Sequence, residues 1–255
     1  RPEGASEKQG RVPRNYNGDE LQLSPAMSIT TPAAVIQEPT LRDGVKGQAL
    51  FFNETNKGFL GKDIGWYERT EPFSLDFWFL AGHDYDEAPV LNHMSEQNSG
   101  KTGYQLSIKD GFLQFSMAHS PPANMIALNS NEKIPVGEWS HLTLTYSGDS
   151  NASGIQLYLN GEPLAMEVTH DSLTRSILPW GTGDVFDPFV GLAFGTRFRV
   201  KAPVDSGLDE IRVYDKTLNP LEVAYLHDPS LAVEFPAVLK QQQLLEIVAA
   251  ADSRV

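Results

Sequence analysis

Between residues 73 and 80 the chain reads Phe-Ser-Leu-Asp-Phe-Trp-Phe-Leu, with an aromatic or leucine side chain at every second position from Phe73 to Phe79. Successive side chains of an extended strand point to opposite faces, so Phe73, Leu75, Phe77 and Phe79 share one face and must be buried. A helix would scatter the same four groups around its circumference. The opposite face carries Ser74, Asp76 and Trp78, a mixed surface that a loop could cover or a ligand could meet.

The same period recurs between turn residues through the middle of the chain. Residues 104–109 and 112–117 flank Asp110-Gly111, and a two-residue Asp-Gly connection supplies the positive φ angles of a type I′ hairpin. Residues 138–146 alternate with Leu142, Leu144 and Tyr146 on one side, and residues 155–159 lead into Asn160-Gly161, which predicts a second hairpin continuing through residues 162–168. Residues 170–188 read as a long loop, and residues 189–198 and 208–214 as closing strands. Asn219-Pro220-Leu221-Glu222 then opens a short helix, with Asn as N-cap, Pro at the first helical position and Glu at N3.

Both ends differ from this middle. Residues 1–39 are rich in Pro, Gly, Ser, Thr and charge, without sustained period, and read as an extended lead-in in which only Leu21, Leu23, Met27 and Ile29 hint at an edge strand. Residues 231–255 carry apolar positions at roughly helical spacing and read as a helical extension, which leaves residues 40–230 as one domain. The expected fold is all-β, two antiparallel sheets packed as a sandwich, with short helices near the C-terminus.

Composition narrows the function classes. A formal charge of −13 would repel a phosphate backbone and an anionic membrane surface, so neither nucleic acid nor membrane insertion is expected. No apolar run reaches the ~20 residues of a membrane span. With no cysteine, neither disulfides, zinc-thiolate sites nor thiol catalysis can contribute, which suits a bacterial extracytoplasmic protein as well as a cytosolic one. The chain begins without Met, as expected of a processed protein or an excised domain.

Three stretches carry a family resemblance. Residues 134–146, Ile-Pro-Val-Gly-Glu-Trp-Ser-His-Leu-Thr-Leu-Thr-Tyr, with the following strand and its Asn160-Gly161 ending, resemble the central hairpin of laminin-G-like domains of the concanavalin A-like lectin/glucanase superfamily. Gly47-Gln48-Ala49-Leu50-Phe51-Phe52 resembles the opening strand of such domains. Gly207-Leu208-Asp209-Glu210-Ile211-Arg212-Val213-Tyr214, with Leu218 and Glu222, resembles the closing strand and helix. The resemblance implies a jelly-roll sandwich, found in lectins, pentraxins, glycanases and adhesive modules, and a place within a large bacterial multidomain protein beside neighbouring domains.

The site expectations follow. Glycoside hydrolysis needs two carboxylates set across the scissile bond, and the glycanases that share the resembled fold carry Glu-x-Asp-x-x-Glu on one strand. No strand here has it, so no catalytic residue is assigned and the expected role is non-catalytic recognition of a carbohydrate or protein ligand, with an architectural spacer as the alternative and a glycan-degrading hydrolase as the third reading. Neither Gly-x-Ser-x-Gly nor His-Glu-x-x-His occurs, and the six histidines read as loop or sheet-surface residues. Exposed aromatics beside polar groups form sugar platforms, which singles out Trp78 with Asp76 and Trp180 with Asp184 and Asp187; Trp139 is assigned to packing at its strand start. Calcium is the metal that fits best, through loop carboxylates Asp84, Asp86 and Glu87. Asp209 shares parity with Ile211 and Val213, so it is expected to point inward and to need backbone amides or a structural calcium.

Overall fold

Two tight reversals fix how the strands follow one another. Asp110 and Gly111 adopt φ of 52° and 84°, and Asn160 and Gly161 adopt 52° and 82°, the paired positive angles that a two-residue hairpin with the native twist requires. A computed structural model of the protein describes residues 40–53, 65–95, 101–178, 192–195 and 202–231. These residues form the strands β1 (Thr40–Asp43), β2 (Gln48–Phe51), β3 (Phe73–Leu80), β4 (Glu87–Ser95), β5 (Thr102–Lys109), β6 (Phe112–His119), β7 (Met125–Lys133), β8 (Trp139–Tyr146), β9 (Ile155–Leu159), β10 (Glu162–Pro163), β11 (Met166–Asp171), β12 (Ala193–Phe194) and β13 (Gly207–Tyr214), followed by the helix α1 (Pro220–His227).

The strands pair into two antiparallel sheets, a seven-stranded one in the order β1-β2-β13-β3-β8-β9-β10 and a six-stranded one in the order β11-β7-β6-β5-β4-β12. The expected all-β sandwich is the observed fold. In the centre of the first sheet Phe73, Leu75 and Phe77 of β3 stand opposite Tyr146, Leu144 and Leu142 of β8, all of them buried. The facing sheet supplies Tyr104, Leu106, Ile108, Phe115, Met117 and Leu128 to the same core. Aromatic pairs bridge the two layers: Phe73 packs on Tyr104 at 5.0 Å, and Phe77 meets Phe194 edge-on at 5.4 Å. Each such ring removes apolar surface worth about 1.5–3 kcal/mol from water.

Trp139 sits at the head of β8, as expected, its ring edge-on to Phe51 at 6.0 Å. The approach runs over Gly207, where a Cβ would lie 2.7 Å from the Trp139 ring, so no larger residue fits there without displacing it. The helix also forms as read: the Asn219 side chain accepts from the Glu222 amide, Glu222 reaches back to the Asn219 amide at 2.8 Å, and Pro220 opens the first turn.

Two expectations need correction. Residues 162–168 are not one strand: β10 ends at Pro163, a last bond to β9 runs from Leu164 N to Leu157 O at 2.9 Å, and the chain then passes through Ala165 to β11 on the opposite sheet. The supposed loop from residue 170 begins inside β11, which runs to Asp171. Strands β4 and β7 stood outside the sequence reading. Of the closing strand expected at 189–198 only Ala193–Phe194 is a described strand; the hinted edge strand of 1–39 and the helical extension lie outside the described residues.

Candidate functional site

The outward face of β3 is occupied rather than open. Asp76 is wholly buried, and its neighbours across the ladder are Arg212 on β13 and Thr143 on β8. Arg212 donates to its Oδ1 at 2.8 Å and Thr143 to its Oδ2 at 2.7 Å. The His141 Nε2 lies 2.9 Å from the same Oδ2, a close contact off the line of a hydrogen bond. Burial alone would raise the Asp76 pKa; the His141, Thr143 and Arg212 contacts outweigh it and hold the carboxyl below the ordinary value. The Arg212 guanidinium also reaches Glu210, at 2.5 Å.

Helix α1 and the turn before it close over this face, with Leu218, Val223 and Leu226 packed on Tyr158 and Tyr214. Trp78 is half-buried, its ring 4.9 Å from that of His141 and 5.4 Å from that of His227. The pair Trp78 and Asp76, expected as a sugar platform, is therefore part of the packing under a helix. The histidine expectation also changes: His141 and His93 are buried, His93 with its ring stacked on Tyr104 at 5.2 Å.

Asp209 corrects the inward assignment. A β-bulge lies between Asp209 and Arg212, with Glu210 at φ 48°, and the extra residue reverses the alternation so that Leu208 and Ile211 face the core while Asp209 stands opposite Trp78 on the outer face. Backbone amides satisfy it there: Lys46 N donates at 2.9 Å and Glu210 N at 2.8 Å, which ties the β1–β2 turn to β13. Asp84, Asp86 and Glu87 are exposed, Asp84 with Lys133 at 3.4 Å. Among the described residues no three His, Asp or Glu side chains gather as ligands of one metal, so these carboxylates and Asp209 are not brought together. Trp180, Asp184 and Asp187 lie outside the described residues.

The outward face of the six-stranded sheet is different. Register places Asn92 of β4, Gln105 of β5, Ser116 of β6 and Ala127 of β7 in one row across the strands, and Ser107, Gln114 and Asn129 in the next, with Glu167 of β11 at its end. Neighbouring strands lie ~4.8 Å apart, so β4 to β6 in the first row and β5 to β7 in the second each offer one polar side chain at about that interval. Charge is confined to the borders, with Glu87, Lys109 and Lys133 at one end and Glu167 and His170 along the β11 edge. Among the described residues, the side chains of Ser107, Gln114, Ser116 and Asn129 have no protein hydrogen-bond partner, and the buried Asn92 Oδ1 has none either. Sequence reading passed over this face, although its signal was present: the outward positions of β5 and β6 hold Gln and Ser where a solvated strand ordinarily shows Lys, Glu or Thr.

Solved structures of similar fold include the binding domain of Paraclostridial Mosquitocidal Protein 1, with TM-score 0.57 and 18% identity over 78% of this chain and 47% of that one. Domain 4 of AbnA, a GH43 extracellular arabinanase from Geobacillus stearothermophilus solved in complex with arabinotriose, is similar with TM-score 0.53 and 18% identity over 75% of this chain and 82% of that one. No curated protein matches. Residues 60–224, well over half of the sequence, match a family model, and the chain belongs to that family, the laminin-G-type branch of the concanavalin A-like lectin/glucanases superfamily.

Proposed function

We propose that this chain is a non-catalytic recognition module that binds an uncharged carbohydrate across β4 to β7 on the outward face of the six-stranded sheet. The observation that carries the reading is the pair of rows built from Asn92, Gln105, Ser116 and from Ser107, Gln114, Asn129, six uncharged side chains, of which Ser107, Gln114, Ser116 and Asn129 have no side-chain hydrogen bond among the described residues. Amides donate and accept at once, as vicinal sugar hydroxyls demand. An anionic ligand would call for Arg or Lys at the centre, and none of these six positions is basic. None is a carboxylate either, so the centre of the face lacks an acid or nucleophile for glycoside cleavage. The arabinotriose held by the similar arabinanase domain supports a sugar as the ligand class. The reading places the module outside the cytoplasm, within a larger parent chain.

A glycan array probed with the full chain tests this, followed by titration of the Gln114→Ala and Asn129→Ala variants. Each lost neutral hydrogen bond costs about 1 kcal/mol, so each variant is expected to bind about fivefold more weakly. Silence across neutral glycans overturns the reading in favour of an architectural spacer. Hydrolysis of a polysaccharide that disappears in Glu167→Gln overturns its non-catalytic part.

A further inference from the structure

Helix α1 is held at its two ends by unlike means. Its first turn is capped by Asn219 and Glu222, and Lys216 pairs with Glu222 at 2.5 Å. Its last turn rests on an imidazole: the His227 ring lies 5.4 Å from Trp78 and 5.4 Å from His141, with its Nδ1 buried and without a hydrogen-bond partner. Gly161 closes the third side, where even a Cβ would come within 3.2 Å of His227.

The carboxylates nearest this ring are already engaged with other donors. From β3 comes Asp76, whose oxygens already serve Arg212, Thr143 and His141; from β8 comes His141 itself; from β13 come Arg212 and Glu210, paired with each other. On the helix side Asp228 accepts from the Ser230 amide and hydroxyl, and Glu162 of β10 is exposed. The tyrosines Tyr158 and Tyr214 contribute apolar surface.

We propose that α1 is an acid-released latch, in which neutral His227 seats the end of the helix on Trp78 and His141 and protonated His227 lifts it from the seven-stranded sheet. Burial and the neighbouring His141 hold His227 below the ordinary imidazole value, against the opposing pull of Asp228 and Asp76. A helix C-terminus ordinarily favours a protonated histidine, and the desolvated seat here works against that. A depressed histidine contributes docking that is complete above its ordinary value near 6.5 and is lost as the pH falls below it. Release would bare Trp78 together with Tyr158 and Tyr214, an apolar strip of the kind that binds partners.

Hydrogen exchange of the α1 amides, corrected for intrinsic rate and taken relative to those of β8, tests this at about pH 7.5 and about pH 5.5. The expected result is a several-fold loss of relative α1 protection at the lower pH in the native chain, and no such change in His227→Gln. Equal α1 protection at both values in the native chain, or an equal loss in the variant, overturns the latch. Should the variant fail to fold, the NMR titration of the native imidazoles decides: His227 titrating below the ordinary value upholds the latch, and titration at or above it overturns it.

Discussion

The two sheets turn polar side chains outward at comparable positions and treat them in opposite ways. On the seven-stranded sheet Thr143 and Arg212 donate to Asp76 beneath α1, with His141 in close contact, so the polarity of that carboxylate is consumed by the fold. On the six-stranded sheet Gln114, Ser116 and Asn129 stand in register without protein partners among the described residues, so theirs is available. A polar residue in a strand thus says little about function until its hydrogen bonds are accounted for. The difference also assigns a distinct cost to mutation on each side.

The largest effect is expected from Asp76→Asn, which leaves the buried Arg212 and His141 facing a neutral amide. Chemical denaturation should show a loss of about 3–5 kcal/mol, the usual penalty for removing one partner of a buried ion pair. A loss under about 1 kcal/mol would mean that water reaches the network and would erase the contrast between the faces.

Next comes acid. His93 points into the core directly after outward-facing Asn92, and burial pushes its pKa down from 6.5 to about 4. The folded state disfavours its protonation, so stability should be level above about pH 6.5, decline as the pH falls, and settle about 3 kcal/mol lower near pH 4. Asp76 is shifted in the same direction but acts at lower pH: its depressed carboxyl contributes stability above 3.8 that is lost only below it. Denaturant titrations at stepped pH should therefore resolve two declines, and His93→Phe should remove the larger part of the first. Asn219→Ala, which deletes the cap of α1, should cost about 1 kcal/mol by the same measurement.

How much of this was legible in the sequence depends on what set each residue's environment. Alternation alone placed Phe73, Leu75, Phe77, Leu142, Leu144 and Tyr146, because strand parity is local. Asp110-Gly111, Asn160-Gly161 and the Asn219–Glu222 box were equally local, and all three formed. Strand β4 was hidden by Pro89 beside a bulge, and β7 by its run of Asn and Ser. The bulge at Glu210 inverted the side of Asp209, since one inserted residue shifts every later position by one. Asp76 looked solvent-facing because what covers it, α1, lies more than 140 residues further along. The neutral rows of β5 to β7 stood in plain view, but only register across three strands shows that they line up.

The smallest stability effects belong to the open face. Gln114→Ala should leave thermal unfolding within about 0.5 kcal/mol of the native chain, as surface substitutions do, while weakening glycan binding. A large loss of stability in Gln114→Ala would assign that side chain to the fold and break the comparison from the other direction.

Amide chemical-shift mapping with the strongest neutral glycan from the array puts both faces in one experiment. Shifts are expected to concentrate at Gln105, Ser107, Gln114, Ser116 and Asn129, with Asp76, Thr143 and Arg212 unmoved. Shifts centred on Trp78 and α1, with the six-stranded sheet silent, would contradict it.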